Sequence, residues 1–146
     1  MKAFPNPVLA AALVGAAMLC GSPAAAQSGT VDTLLARADE VYDQHGYVKQ
    51  GWERQSLLKQ GGEESFTITL TGGHEYSLIG VCDRDCENLD LYVTDEKGVE
   101  VTKDVEDDDY PVVYIKRGGT LTLRVRAVMT KCSDAPCEYG IKAYRM

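Results

Sequence analysis

The chain has 146 residues, 22 acidic against 15 basic, and a formal net charge of −7. That length suits one domain of ordinary size. The acidity argues against nucleic acid or an anionic membrane surface as partner, since both are bound chiefly through Lys and Arg, and it favours cations or basic partners.

Residues 1–26 have the marks of a signal peptide. Lys2 supplies a positive start, Val8 to Leu19 an apolar run, and Ala24-Ala25-Ala26 small residues for cleavage before Gln27. The apolar run is too short for a transmembrane helix, so no membrane span is expected. Cys20 follows the bulky Leu19, where acylation wants a small residue, so an exported soluble protein is expected rather than a lipoprotein. Cleavage after residue 26 of 146 leaves 120 residues and, with Lys2 gone, moves the charge from −7 to −8.

Residues 27–50 are read as an N-terminal helix and its connection. Val31, Leu34, Leu35, Ala38, Val41 and Tyr42 recur at helical spacing and predict a helix from Thr30 to His45. Thr30 is placed to cap it, Asp32 lies in its first turn, and Gly46 is placed to stop it. Residues 51–146 carry strand signals. Gly51 breaks the helical pattern, and Trp52 to Lys59 is expected as a first strand before the turn Gln60-Gly61-Gly62.

From Phe66 the period is two. Phe66, Ile68 and Leu70 alternate with Thr67 and Thr69, and Thr71-Gly72-Gly73 turns the chain. Tyr76, Leu78 and Gly80 share one face of the next strand, with Ile79 and Val81 making its other face apolar too. Leu89, Leu91 and Val93 form a strand ending in the tight turn Asp95-Glu96-Lys97-Gly98. Short strands are expected at Val99 to Val101 and at Val112 to Ile115, the latter after a Pro suited to a strand's start. Leu121, Leu123, Val125 and Ala127 alternate against Thr122, Arg124 and Arg126, and Glu138 to Tyr144 closes the chain. Seven or eight such strands predict a mainly β protein, an antiparallel sandwich or small barrel carrying one N-terminal α-helix.

Four cysteines follow the signal peptide: Cys82, Cys86, Cys132 and Cys137. An even number in an exported chain reads as two disulfides, with three pairings open. The local pairing, Cys82 with Cys86 and Cys132 with Cys137, is favoured because each pair brackets a loop. Crossed pairings would tie the two loops together. Acidic neighbours around Cys82 and Cys86 disfavour a reactive thiolate, so the cysteines are read as structural.

Several stretches resemble the bacterial pre-peptidase C-terminal domain, here in a stand-alone secreted form. Gly61-Gly62 before Phe66-Thr67-Ile68-Thr69-Leu70-Thr71-Gly72-Gly73 is similar to its opening, and Asn88-Leu89-Asp90-Leu91-Tyr92-Val93 with Asp95 and Gly98 to its centre. Gly118-Gly119-Thr120-Leu121-Thr122-Leu123-Arg124-Val125 and Tyr139-Gly140-Ile141 resemble its later strands. The resemblance spans about residues 52–146 and implies a jelly-roll-like β-sandwich acting as an accessory module of secreted proteases. It also implies calcium on loop carboxylates in some members, with Asp90 as first ligand here.

No cofactor is required by any motif, but calcium needs about six to eight oxygens, and the acidic loops could supply them. Asp83, Asp85, Asp90, Asp95 and Asp107 are the candidate ligands. An EF-hand starting at Asp83 is excluded, since its sixth position is Asn88 and its twelfth Thr94. The competing reading makes Asp95 a turn former, Asp90 a solvated strand residue and Asp107 part of a solvated loop. His45 and His74 belong to no catalytic motif, and no enzyme is expected. Tyr42, Tyr47, Trp52, Tyr92, Tyr110, Tyr114 and Tyr144 are many aromatics for a small domain. Tyr92 and Tyr110, beside carboxylates, are the candidate partner-binding residues for a protein or glycan. The resulting expectation is a periplasmic or secreted, non-catalytic binding or accessory module of the bacterial cell envelope. The alternative is a small periplasmic hydrolase with an acidic site, which would gather its carboxylates in one concave pocket.

Overall fold

The computed structural model describes residues 29–116 and 118–146; residues 1–26, expected as a signal peptide, lie outside them. One helix, α1 (Thr30–Gln44), precedes eight strands: β1 (Val48–Leu58), β2 (Glu63–Leu70), β3 (Glu75–Cys82), β4 (Cys86–Asp95), β5 (Glu100–Asp104), β6 (Val112–Lys116), β7 (Leu121–Cys132) and β8 (Cys137–Arg145). They form two antiparallel four-stranded sheets, ordered β1-β8-β3-β6 and β2-β7-β4-β5. First pairs with last, second with seventh, third with sixth and fourth with fifth, which is a long hairpin rolled into a sandwich. The strand pattern predicts a sandwich or small barrel, and the winding is the jelly-roll type that the resemblance implies.

Alternation decides which side chains enter the core. Leu89, Leu91 and Val93 from one sheet meet Leu78, Val113 and Ile141 from the other, all essentially inaccessible. Trp52 and Phe66 close one flank, with ring centroids 5.3 Å apart. The second apolar face of β3 has its explanation in α1, which lies across the outer face of the β1-β8-β3-β6 sheet. Val31 and Leu35 pack on Val81. The helix comes this close because β8 presents Gly140 beneath it: a Cβ there would stand 2.8 Å from both Leu35 Cδ1 and Val31 Cγ1.

Polar links fix the helix further along. Asp39 accepts hydrogen bonds from Tyr144 Oη at 2.9 Å and Lys142 Nζ at 3.1 Å, and Lys142 also meets Glu53 at 3.0 Å. Burial alone would push the Asp39 carboxyl up, but Lys142, Tyr144 and Lys49 together hold it below its ordinary value. A second polar link joins the two sheets. Glu64 of β2 accepts from the buried Tyr139 of β8 at 2.7 Å and pairs with Arg54 of β1.

Local details differ from the sequence reading in three places. Gly29, not Thr30, is the N-cap of α1; no side chain caps the first turn, and the Asp32 side chain instead accepts from the N–H of Gly29 itself at 3.3 Å. The first strand starts at Val48 rather than Trp52. It passes through Gly51, at φ +68°, where the pairing with β8 shifts register. A bulge absorbs the glycine that looked like a break. The fifth strand runs Glu100–Asp104, extending beyond Val101.

Two outcomes follow from this packing. Gly140→Val should lower stability by about 1–3 kcal/mol in urea denaturation, with loss of helical circular dichroism ahead of the sheet signal; an unchanged midpoint would contradict the close approach. Tyr139→Phe removes the donor that, ahead of Arg54, holds the Glu64 carboxyl below its ordinary value of 4.5. A carboxylate whose folded value is lowered contributes stability above its unfolded value, and the contribution disappears as pH falls through the folded one. The variant should therefore be destabilised by about 1–3 kcal/mol at pH 7, and the gap to wild type should narrow below pH 4.5. An equal gap at pH 7 and pH 3 would contradict this assignment.

Candidate functional site

The winding gathers four corners, β1–β2, β3–β4, β5–β6 and β7–β8, at one end of the sandwich. Both disulfides lie there, Cys82–Cys86 and Cys132–Cys137, with Cα atoms 5.9 and 6.0 Å apart. The pairing is local, and it does more than clip loops. Cys82 belongs to β3 and Cys86 to β4, Cys132 to β7 and Cys137 to β8, so each bridge joins one sheet to the other. Cys86 and Cys132 are also register partners, which sets the two bridges side by side. Two disulfides point to an oxidising, extracytoplasmic compartment. No helix among the described residues is long and apolar enough to cross a membrane.

The stapled corners hold each other through backbone groups. Ser133 donates to the Asp85 carbonyl from its N–H at 2.7 Å and its hydroxyl at 3.0 Å. Asp83 and Glu138 exchange two bonds: the Asp83 N–H donates to the Glu138 carbonyl at 2.9 Å, and the Glu138 N–H to Asp83 Oδ2 at 2.7 Å. The β5–β6 loop, residues 105–111, folds over the start of β4. Leu89 N–H donates to the Asp108 carbonyl at 3.0 Å, and Asn88 Nδ2 to Asp107 Oδ1 at 3.2 Å.

Asn88 sits where β4 and β7 shift register, a bulge that turns its side chain onto the loop. It is 6 % exposed and Asp90 9 %, although both point away from the core. Asp90 is thus not the solvated strand residue of the competing sequence reading. Its Oδ2 receives only a long bond from Tyr92 Oη, 3.4 Å. The Oδ1 atoms of Asn88, Asp90 and Asp83 are buried without a hydrogen-bond partner. Buried oxygens in that condition are costly, and native proteins leave few.

The remaining candidates divide. Asp107 lies beside Asn88 and is engaged by Lys131 Nζ at 2.7 and 2.9 Å, which together with the Asn88 amide holds its carboxyl below the usual range. Asp85 contributes its carbonyl to the corner. Asp95 is at the other end of β4, about 30 Å along the strand from Cys86 at the usual rise. There it accepts from the Lys97 and Val99 N–H groups, both at 2.9 Å, and so shapes the hairpin turn. Asp83 and Asp85 belong to the β3–β4 corner, Asp90 to β4 itself, and Asp107, its side chain exposed, to the β5–β6 loop. Among the described residues, no three His, Cys, Asp or Glu side chains are grouped to hold a metal ion as they stand. Tyr92 is occupied within its sheet, with the Arg126 guanidinium 4.2 Å over its ring. Tyr110, 59 % exposed, stands on the acidic loop and faces outward.

Asn88 was absent from the ligand candidates read from sequence. Its signal was a polar residue directly beside the Leu89-Asp90-Leu91 alternation, but its burial depends on a loop 19 residues further on. No family model matches the chain, and no curated protein matches it.

Proposed function

We propose that the chain is an exported, non-catalytic binding or accessory module of the bacterial cell envelope, periplasmic or secreted, whose stapled end is completed by calcium. One observation carries the calcium reading: the Oδ1 atoms of Asn88 and Asp90 are buried at the start of β4 without a hydrogen-bond partner, beside a loop rich in carboxylates. A hard cation suits oxygens in that condition, because it replaces the hydration both have lost. Asn88 and Asp90 would hold it from the strand. Asp107, exchanging Lys131 for the ion, and backbone carbonyls of residues 105–111 would hold it from the loop. The ion would then fix the loop and the outward Tyr110 as a surface for a protein or glycan partner. The resemblance to pre-peptidase C-terminal domains supports an accessory role, and the disulfides support export.

A ligand that binds only the folded state raises stability by mass action. Millimolar calcium should raise the melting temperature of the oxidised protein by several degrees over excess chelator. Asp90→Asn should abolish that rise, while melting in chelator at or above the wild-type temperature because a buried charge is gone. No calcium-dependent shift in the wild type, or an undiminished shift in Asp90→Asn, would overturn the proposal.

A further inference from the structure

At the end of the sandwich opposite the disulfides, aromatic side chains collect where α1 gives way to β1. Tyr42 stacks on Tyr144 with centroids 4.1 Å apart and planes 13° apart, and Tyr47 meets Tyr42 edge-on at 5.1 Å. Tyr42 Oη is hydrogen-bonded to Ser77 Oγ at 2.8 Å, and Ser77 is the register partner of Tyr144 on one side and Tyr114 on the other. These residues frame an open groove of about 390 Å³, lined by Val41, Tyr42, His45, Tyr47, Tyr114 and Met146.

Packing accounts for Tyr42 and Tyr144, which seat the helix on the sheet. It does not account for Tyr114, 58 % exposed, or for the exposed Val41 and Met146 that line the groove with it. Exposed apolar side chains gathered at one groove, rather than scattered singly, mark a binding surface.

The electrostatics of the groove select the ligand's charge. The last turn of α1 points its carbonyl ends here, and that turn contains no basic residue to offset the negative end of the helix dipole. Asp39, Glu40 and Asp43 line the adjoining concavity that shares Tyr47, and Glu75 the one that shares Met146. Among the described residues the cations in those walls are Lys49, paired with Asp39 at 3.3 Å, and Lys116, paired with Glu75 at 3.5 Å, so Glu40 and Asp43 are the carboxylates there that carry no such pair. Burial, then the Glu75 carboxylate and Tyr114, raise the pKa of the Tyr47 hydroxyl. The chain already uses the matching chemistry elsewhere, where Arg126 lies over the ring of Tyr92.

Building on the binding-module reading, we infer that this groove takes an arginine side chain from a basic peptide segment of a partner protein. The guanidinium stacks on Tyr114 and Tyr47, and its charge faces Glu75, Asp43 and the end of α1. Arginine fits better than lysine because its flat, weakly hydrated cation stacks on aromatic faces, and its aliphatic stem covers Val41 and Met146.

The test is a nuclear magnetic resonance titration of the exported, oxidised protein with acetyl-Gly-Arg-Leu-Arg-Gly-amide. The control is the same peptide carrying neutral citrulline at both arginine positions. Saturable shifts confined to the groove, at Tyr47, Tyr114 and Met146, are expected, with the citrulline peptide at least tenfold weaker. Tyr114→Ala and Glu75→Gln should each weaken the arginine peptide severalfold. Both sites are at the surface, so melting temperature should hold and separate lost binding from lost folding. Equal binding of the citrulline peptide, equal shifts on the Glu106–Asp109 loop, no saturation, or unchanged binding by Tyr114→Ala would each overturn the inference. Groove shifts that grow with protein concentration alone would assign the surface to a second copy of the chain and also overturn it. Running the titration in calcium and in chelator separates the two proposals, because arginine binding without any calcium-dependent melting shift would sustain the groove and remove the ion.

Discussion

Two sheets packed face to face share no backbone hydrogen bonds, so side-chain packing and the corners must hold them in register. Here two of the corners at one end are covalent. Each disulfide closes a loop of only a few residues, which limits its effect on the unfolded chain to about 2 kcal/mol on loop-entropy grounds. Its position matters more than that figure. Because each bridge crosses between sheets, the β3–β4 and β7–β8 corners are held to a fixed spacing, beside which the β5–β6 loop folds over the start of β4. Asn88 is held beneath that loop, where its Nδ2 donates to Asp107 and the next N–H, of Leu89, to the Asp108 carbonyl. At the opposite end no covalent bond ties the sheets among the described residues; there α1 is anchored to one sheet through Asp39.

The two ends therefore carry opposite chemistry on one scaffold. The stapled end presents buried oxygens and an acidic loop, suited to a small hard cation. The helix end presents exposed rings and aliphatic groups beneath carboxylates, suited to a large soft cation with an apolar stem. Both follow from the same acidic excess, net −7, placed on different supports. A carboxylate beside lost hydration attracts a metal ion, whereas a carboxylate beside an aromatic face attracts guanidinium.

Much of this architecture is legible in the residues. Period-two alternation marks the strands and the core-facing positions of Leu89, Leu91, Leu123 and Val125. The apolar second face of β3 signals that something covers Val81. Gly51 misleads, because a bulge accommodates a glycine that local pattern reads as a stop. The inter-sheet role of the cysteines needs the winding: only when β3 and β4, or β7 and β8, fall in different sheets does a local bridge become a staple. The acidic residues show the limit most clearly. Sequence pattern alone leaves Asp83, Asp85, Asp90, Asp95 and Asp107 undivided, and only the resemblance puts Asp90 first. The fold sends Asp95 to the far turn, gives Asp85 only a carbonyl's part in its corner, and buries Asp90 with Asn88. The tyrosines divide likewise, since Tyr92 lies under Arg126 while Tyr114 lies open, and neither fate is written in spacing.

The central claim is that the disulfides hold the acidic end rather than the sandwich as a whole. Amide hydrogen exchange of the folded protein, before and after mild reduction, tests it most directly, because protection reports local opening segment by segment. Faster exchange after reduction is predicted across residues 83–88, 105–111 and 133–136, with the centres of β3, β7 and β8 keeping their protection. Uniform loss of protection through both sheets, or unchanged exchange at those corners, would contradict the account.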